Sequence, residues 1–284
     1  MAKKKKSSSR KSSNKDTTYS PVRAKKALGQ HFLTDETVCE RIANTFKEVT
    51  SNVLEIGPGT GMLTKYFVGR ALDVKVVDLD TESITYLNTH FTLTYASKIS
   101  QTKSFKVLEQ DVLKMDFKSL FQGSPFSIIG NFPYNISTQI VFKVIENRDL
   151  IPEFSGMFQK EVAQRICAGP GSKTYGILSV LTQAYYTAEY VFTVGSEVFN
   201  PPPKVDSGVL RLERKVNKEL QCDEVLFFKV VKTVFNQRRK TLRNGIKSFG
   251  LSAEVLEDPL FKLRPEQLSV SDFEYITRLV FEAN

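Results

Sequence analysis

No stretch of this 284-residue chain stays apolar over the roughly 20 residues that a helical membrane span requires. No membrane partner is therefore expected. The first residues, Met1-Ala2-Lys3-Lys4-Lys5-Lys6, have no apolar segment behind their charges, so they do not read as a secretory signal. Cysteine is scarce. Cys39, Cys167 and Cys222 are odd in number and far apart, which argues against a disulfide framework and for reduced thiols in a cytoplasmic protein. Only two histidines are present, His31 and His90, and no Cys/His cluster has ligand spacing, so no metal is expected. No G-x-x-x-x-G-K-[ST] run occurs, which excludes a P-loop phosphate cradle. A dinucleotide fingerprint is also missing, because Met62 stands where its third glycine would be.

Basic charge is absent from most of the chain despite a net charge of +9. Residues 1–26 hold ten Lys or Arg and one acid, Asp16, and so carry the whole excess; the rest holds 30 bases and 30 acids. The Ser/Lys-rich segment 1–20 cannot bury a core and is expected to be a disordered basic tail. An RNA-binding surface on the body must then come from local clustering of charge. Hydrophobic content of 41% is that of an ordinary soluble protein.

What is present is a series of strand ends. Val53-Leu54-Glu55-Ile56 is a short apolar strand running into Gly57-Pro58-Gly59-Thr60-Gly61, with helical spacing expected over Met62–Phe67. Glycines there let backbone approach a ligand closely. The next strand, Asp73–Val77, ends at Asp78, where an acid is placed to hold ribose hydroxyls. Asp80 suits a helix N-cap. Strand Phe105–Glu109 is followed by Asp111, a candidate acceptor for an adenine amino group. Strand Phe126–Gly130 runs into Asn131-Phe132-Pro133-Tyr134.

The last box suits chemistry on an exocyclic base amine, whose lone pair is delocalised into its ring. The Asn131 oxygen and a backbone carbonyl can each accept one N–H, which draws the nitrogen toward a tetrahedral shape. Pro133 stiffens the turn and brings no donor. Tyr134 offers a face on which an extruded base can stack. Glycine loop, acid, acid and Asn-x-Pro-Tyr, in that order, is the sequence of an S-adenosylmethionine-dependent amino-methyltransferase. Ligands of such sheets sit outside the carboxyl ends of the strands.

These motifs resemble those of the ribosomal RNA adenine N6,N6-dimethyltransferases, and most closely the bacterial small-subunit (16S) branch. The resemblance runs from about Lys25 to the C-terminus. Lys26–Leu33 is similar to the family's N-terminal cofactor motif, Glu55–Gly61 to its glycine loop, and Asn131–Ser137 to its catalytic box. Phe199-Asn200-Pro201-Pro202-Pro203-Lys204-Val205-Asp206-Ser207 is similar to its target-base motif, and Phe235–Asn244 to the small-subunit signature. The resemblance implies S-adenosyl-L-methionine as cofactor, with His31, Leu33, Gly57, Asp78, Asp111 and Asn131 around it. It implies catalytic positions at Asn131, Phe132, Pro133, Tyr134 and Phe199, with Tyr134 and Phe199 sandwiching a flipped adenine. Asp78 stands where many members have Glu, and His31 where some have Asn.

The fold expected is α/β: a Rossmann-like methyltransferase sheet over 21–216, then a small all-α unit over 217–284. Strands are expected at 155–159, 190–194 and 209–212, and helices from Asp35 to about Val49 and over 138–145, 161–166 and 175–185. Beyond Lys215–Leu220 only helical periodicity remains. There Lys240, Arg243 and Lys247 have the spacing of one helix face. Arg238, Arg239, Lys240 and Arg243 are dense enough to suggest phosphate contacts.

The leading expectation is dimethylation of two adjacent adenosines in the 3′-terminal hairpin of small-subunit rRNA, linked to small-subunit biogenesis. Its partner would be the immature small subunit, and a monomer would suffice. The alternatives are a large-subunit rRNA methyltransferase of the antibiotic-resistance type and a non-catalytic RNA-binding assembly factor.

Overall fold

The computed structural model describes residues 22–47, 50–216 and 219–283. The basic tail expected over 1–20, and Val49, lie outside them.

Nine strands are described, β1 (Phe32–Leu33), β2 (Asn52–Ile56), β3 (Asp73–Asp78), β4 (Ser104–Glu109), β5 (Ser127–Asn131), β6 (Glu153–Gln159), β7 (Tyr186–Val194), β8 (Phe199–Asn200) and β9 (Ser207–Arg214). Seven of them form one sheet in the order β4-β3-β2-β5-β6-β9-β7. The first five run parallel, while β9 is antiparallel to both β6 and β7. Parallel strands are covered on both faces and therefore read as continuous apolar runs; β2 and β5 are buried almost throughout. The chain moves outward from β2 to β4, then returns to β5 on the other side of β2. The reversal thus lies between β2 and β5, where Ile56 pairs with Gly130. A crevice opens at such a point, beyond the carboxyl ends of the strands.

Alternation along β2 divides the core. Leu54 and Ile56 enter one apolar cluster and Val53 the other. The second cluster holds Cys39 and Ile42 of α1 (Glu36–Ala43), Phe67 and Phe91. The first takes in α3 (Ser137–Glu146) and α5 (Ile177–Tyr185), and continues without a break into α6 (Glu224–Asn236) and α7 (Val270–Glu282). Two further helices, α2 (Thr81–Tyr86) and α4 (Lys160–Cys167), flank the sheet. The C-terminal helices start at side-chain caps. Asp223 accepts from the Leu226 N–H, and Ser269 and Asp272 bond reciprocally.

Three local expectations need correction. Residues 62–67 form turns with a single 3₁₀ segment, Thr64–Tyr66, instead of an α-helix. Gly59 and Gly61, both at positive φ, tighten the chain there. Helix α1 ends at Ala43, although Phe46 beyond it still reaches the core. Finally, Lys240, Arg243 and Lys247 do not share one helix. Helix α6 stops at Asn236, a four-residue turn of helix covers Leu242–Gly245, and Lys247 begins a 3₁₀ segment.

Strand β6 approaches β5 unusually closely. A Cβ on Gly156 would lie 2.1 Å from the Gly130 oxygen and 2.6 Å from the Phe132 ring. That bare backbone gives Phe132 its seat, where it stacks on Phe154 at 4.8 Å with the planes 5° apart. The residue after Asn131 is thereby anchored in the core.

Candidate active site

The crevice holds a cavity of about 210 Å³. It is lined by the ends of β2 and β3, by residues 110–113 after β4, by residues 131–136 after β5, and by the N-terminal segment 28–32. The sequence separates these segments by up to about a hundred residues, and the parallel sheet brings them to one rim. Gly57, at φ +71°, lies so close to the next strand that a Cβ would sit 3.3 Å from the Asn131 oxygen.

Each expected cofactor residue has a definite place. Gly57, Asp78, Asp111, Asn131 and His31 line the main cavity, while Leu33 lines a smaller one behind the glycine loop. Burial pushes the Asp78 carboxyl upward, opposed by the N–H groups of Asp80, Leu79 and Gly59. The Asp80 N–H donates to Asp78 Oδ1 at 2.9 Å, fixing the side chain. Asp111 accepts from the Leu113 N–H at 3.0 Å and has Lys114 3.6 Å away. Leu28, Leu79, Val112 and Ile136 supply apolar wall to the same cavity.

Asn131 donates its Nδ2 to the backbone oxygen of His31 at 2.8 Å. Its Oδ1 is therefore the end of the amide left to accept from an amine. Phe132 is core, as described, but its ring still forms part of the cavity wall. Tyr134 is half-buried, its hydroxyl 2.5 Å from Ser207 Oγ. Burial raises the phenol's pKa and the Ser207 bond opposes the rise, so Tyr134 is a neutral ring with a tethered hydroxyl.

Phe199 departs from expectation. It is 4% exposed, packs in the second apolar cluster, and pairs through β8 with Leu33 of β1. It does not line the cavity or face Tyr134. The ring beside Tyr134 is His31, with centroids 5.6 Å apart and planes 29° apart. His31 Nδ1 donates to the Pro201 oxygen at 2.8 Å. The β1–β8 ribbon and this bond tie the N-terminal segment to the 199–201 segment, and sequence reasoning missed that tie.

A second anchor holds the same segment. Asp80, whose side chain is fully buried, accepts from Lys25 and from Gln30 Nε2, and also from Ser83 and the Glu82 N–H. Burial alone would raise its pKa, but these partners together outweigh it and lower the carboxyl. The expected N-cap role is met, and the additional partners came from a segment 50 or more residues upstream.

The expected RNA-binding side chains divide into two groups. Arg238 donates to the Lys173 oxygen at 2.6 Å and lies 3.8 Å from Glu266, and Arg243 donates to Glu257 at 3.1 Å. Arg239 and Lys240 are exposed in the turn after α6. Among the described residues no group of three His, Cys, Asp or Glu could hold a metal, and no helix is long and apolar enough to cross a membrane.

Comparison with known proteins agrees with this geometry. Residues 22–278 match the family model for ribosomal RNA adenine dimethylase. A Bacteroides thetaiotaomicron protein named ribosomal RNA small subunit methyltransferase A is 54% identical over 266 residues, covering 92% of this chain and 96% of the relative. A protein of the same name from Flavobacterium johnsoniae is 53% identical over 91% of this chain and 96% of its own length. The crystal structure of a dimethyladenosine transferase from Plasmodium falciparum superposes with a TM-score of 0.74 at 27% identity, covering 89% of this chain and 97% of that one.

Proposed function

The chain belongs to the ribosomal RNA adenine dimethylase family, and from that premise we propose that its substrate is the small-subunit rRNA. It is an S-adenosylmethionine-dependent rRNA adenine dimethyltransferase. The target is two adjacent adenosines in the 3′-terminal hairpin of the 16S rRNA, met in the immature small subunit in the cytoplasm by a monomer. The observation that carries this reading is the amide of Asn131, oriented by its bond to His31 at the rim of the cavity.

The residues present fit the cofactor. Gly57 allows close backbone approach, Asp78 and Asp111 offer carboxylates along one wall, and a buried carboxylate, Glu55, lies behind the glycine loop with an oxygen that has no hydrogen-bond partner among the described residues. When bound, S-adenosylmethionine supplies a methyl group on a sulfonium, already a strong electrophile. The protein's task is then positioning. Asn131 Oδ1 and a carbonyl of the box accept the two N–H bonds of the adenine amine and turn its lone pair toward the cavity. Tyr134 carries the ring, with Phe132 and Pro133 fixing the turn beneath it. The amine becomes acidic once alkylated, so no strong base is required.

The exposed Arg239 and Lys240, with Arg238 and Arg243 beside them, support phosphate contacts from the 217–284 unit. Phe199 can join the base only if the 199–201 segment moves. The large-subunit alternative is not favoured, because the curated relatives carry the small-subunit name. The test is methylation of small subunits from cells lacking this activity, read by nucleoside mass spectrometry. N6,N6-dimethyladenosine at adjacent small-subunit positions is expected. Modification of large-subunit RNA alone would overturn the substrate assignment.

A further inference from the structure

Behind the glycine loop lies a second cavity of about 30 Å³, room for one water or one small charged group. Its walls are apolar, from Phe32, Leu33, Ile42 and Leu63, and it shares Gly57 and Asn131 with the main cavity. It is therefore a side chamber of the active site. One ionisable side chain lines it, Glu55 of β2, which is 1% exposed. Glu55 Oε2 is buried without a hydrogen-bond partner. A buried polar atom left so is costly, and native structures rarely keep one without a use.

The surroundings hold no cation that would explain the carboxyl. The Thr64 hydroxyl after the glycine loop and Asp78 on β3 are the groups that act on it, and Cys39 on α1 is near enough to feel it. Burial pushes the Glu55 pKa up to about 8, Thr64 opposes the rise and Asp78 adds to it. Cys39 is itself pushed up to about 12 by burial and stays uncharged. At neutral pH the site without ligand thus keeps a neutral acid where its chemistry wants a cation.

The two carboxylates on the adenosine side, Asp78 and Asp111, lie in the main cavity, so the other end of the cofactor points past Gly57 toward the chamber. We propose that Glu55 is the counter-ion of the α-ammonium group of S-adenosylmethionine and releases its proton to solvent when the cofactor binds. This rests on the cofactor assignment above. The step is balanced: the carboxyl O–H bond breaks, the proton passes to buffer, and the carboxylate is left facing the ammonium, which keeps all its hydrogens. Cofactor affinity then rises with pH up to about 8, because less work is needed to ionise Glu55.

The experiment is calorimetric titration of the full chain at pH 7 in buffers of different ionisation enthalpy. Two ligands are compared. S-adenosylhomocysteine keeps the amino-acid end, and 5′-methylthioadenosine lacks it. Close to one proton per site should leave with S-adenosylhomocysteine and close to none with 5′-methylthioadenosine. Glu55→Gln should abolish the release. Equal release with both ligands, or none with S-adenosylhomocysteine, overturns the proposal, as does unchanged release from the variant. Should Glu55→Gln fail to fold, the ligand pair on the unaltered protein decides alone. Failure of S-adenosylhomocysteine to bind at all would instead sink the cofactor assignment.

Discussion

The side-chain nitrogen of Asn131 donates to the backbone oxygen of His31 at 2.8 Å, although the two residues are a hundred positions apart. One half of the amide is thereby occupied and the other is aimed. Asn131→Ala removes the acceptor for the target amine but leaves the main cavity walls in place. Turnover should fall roughly 10²-fold, with S-adenosylhomocysteine affinity changed far less. Single-turnover methylation alongside calorimetry separates the two, and unimpaired turnover would remove Asn131 from the catalytic machinery.

Tyr134 is a ring with its hydroxyl tied to Ser207. Loss of base stacking costs about 1–3 kcal/mol, so Tyr134→Ala should lower kcat/KM about 10- to 100-fold. Tyr134→Phe keeps the ring and should lose much less. Equal losses in the two variants would show that the hydroxyl, and not the face, is what matters.

Arg239 and Lys240 are exposed, whereas Arg238 is engaged with the Lys173 oxygen. Arg239→Ala and Lys240→Ala should each weaken RNA binding and flatten its dependence on log salt by about 0.7–0.9. Arg238→Ala should act also on the loop it holds, visible as faster amide exchange over 169–174. Binding of RNA at unchanged salt slope in the Arg239/Lys240 double variant would locate the phosphate grip elsewhere.

Asp80 carries the N-terminal segment through Lys25 and Gln30. Its lowered pKa means that its contribution is present above the ordinary carboxylate range and is lost as pH falls below it. Asp80→Ala should destabilise the protein by about 3 kcal/mol at pH 7 and weaken cofactor binding. Chemical denaturation with and without S-adenosylhomocysteine measures both effects.

Glu55 has the opposite sign. Its pKa is raised from 4.5 to about 8 in the folded chain, so folding binds a proton between those values. The stability of the ligand-free protein should therefore fall as pH climbs through that window, by up to about 1.4 kcal/mol per unit from this group. Glu55→Gln, measured without ligand, should flatten the slope and melt about 2–4 °C higher for each kcal/mol recovered at pH 8. A slope unaffected by the substitution would mean that Glu55 is ionised in the free protein.

The parallel strands were legible in the sequence because burial on both faces makes each an unbroken apolar run, as in Val53–Ile56 and Phe126–Gly130. Their order placed Gly57, Asp78, Asp111 and Asn131 at one rim before any coordinates. The β1–β8 ribbon was not legible. Each strand has two residues, and their pairing is fixed by packing of Leu33 and Phe199 across 166 positions. The position of Phe199 was missed for the same reason: a motif states which residue is present, not which way it turns. The helix expected after the glycine loop followed apolar spacing alone and ignored the positive φ of Gly59 and Gly61. Glu55 did leave a signal, an acid inside an otherwise apolar strand. Only the structure shows that a chamber adjoins it.

The unbroken apolar cluster that runs from beneath the catalytic box into α6 and α7 sets a length scale. Phe132 and Phe235 belong to one packed body, so the box that follows β5 and the basic turn that follows α6 cannot drift apart. An RNA that engages both must offer its unpaired base and its phosphates at that one built-in span. The enzyme would then select its target as a caliper does, by separation, and an otherwise identical base on a longer or shorter stem would be passed over.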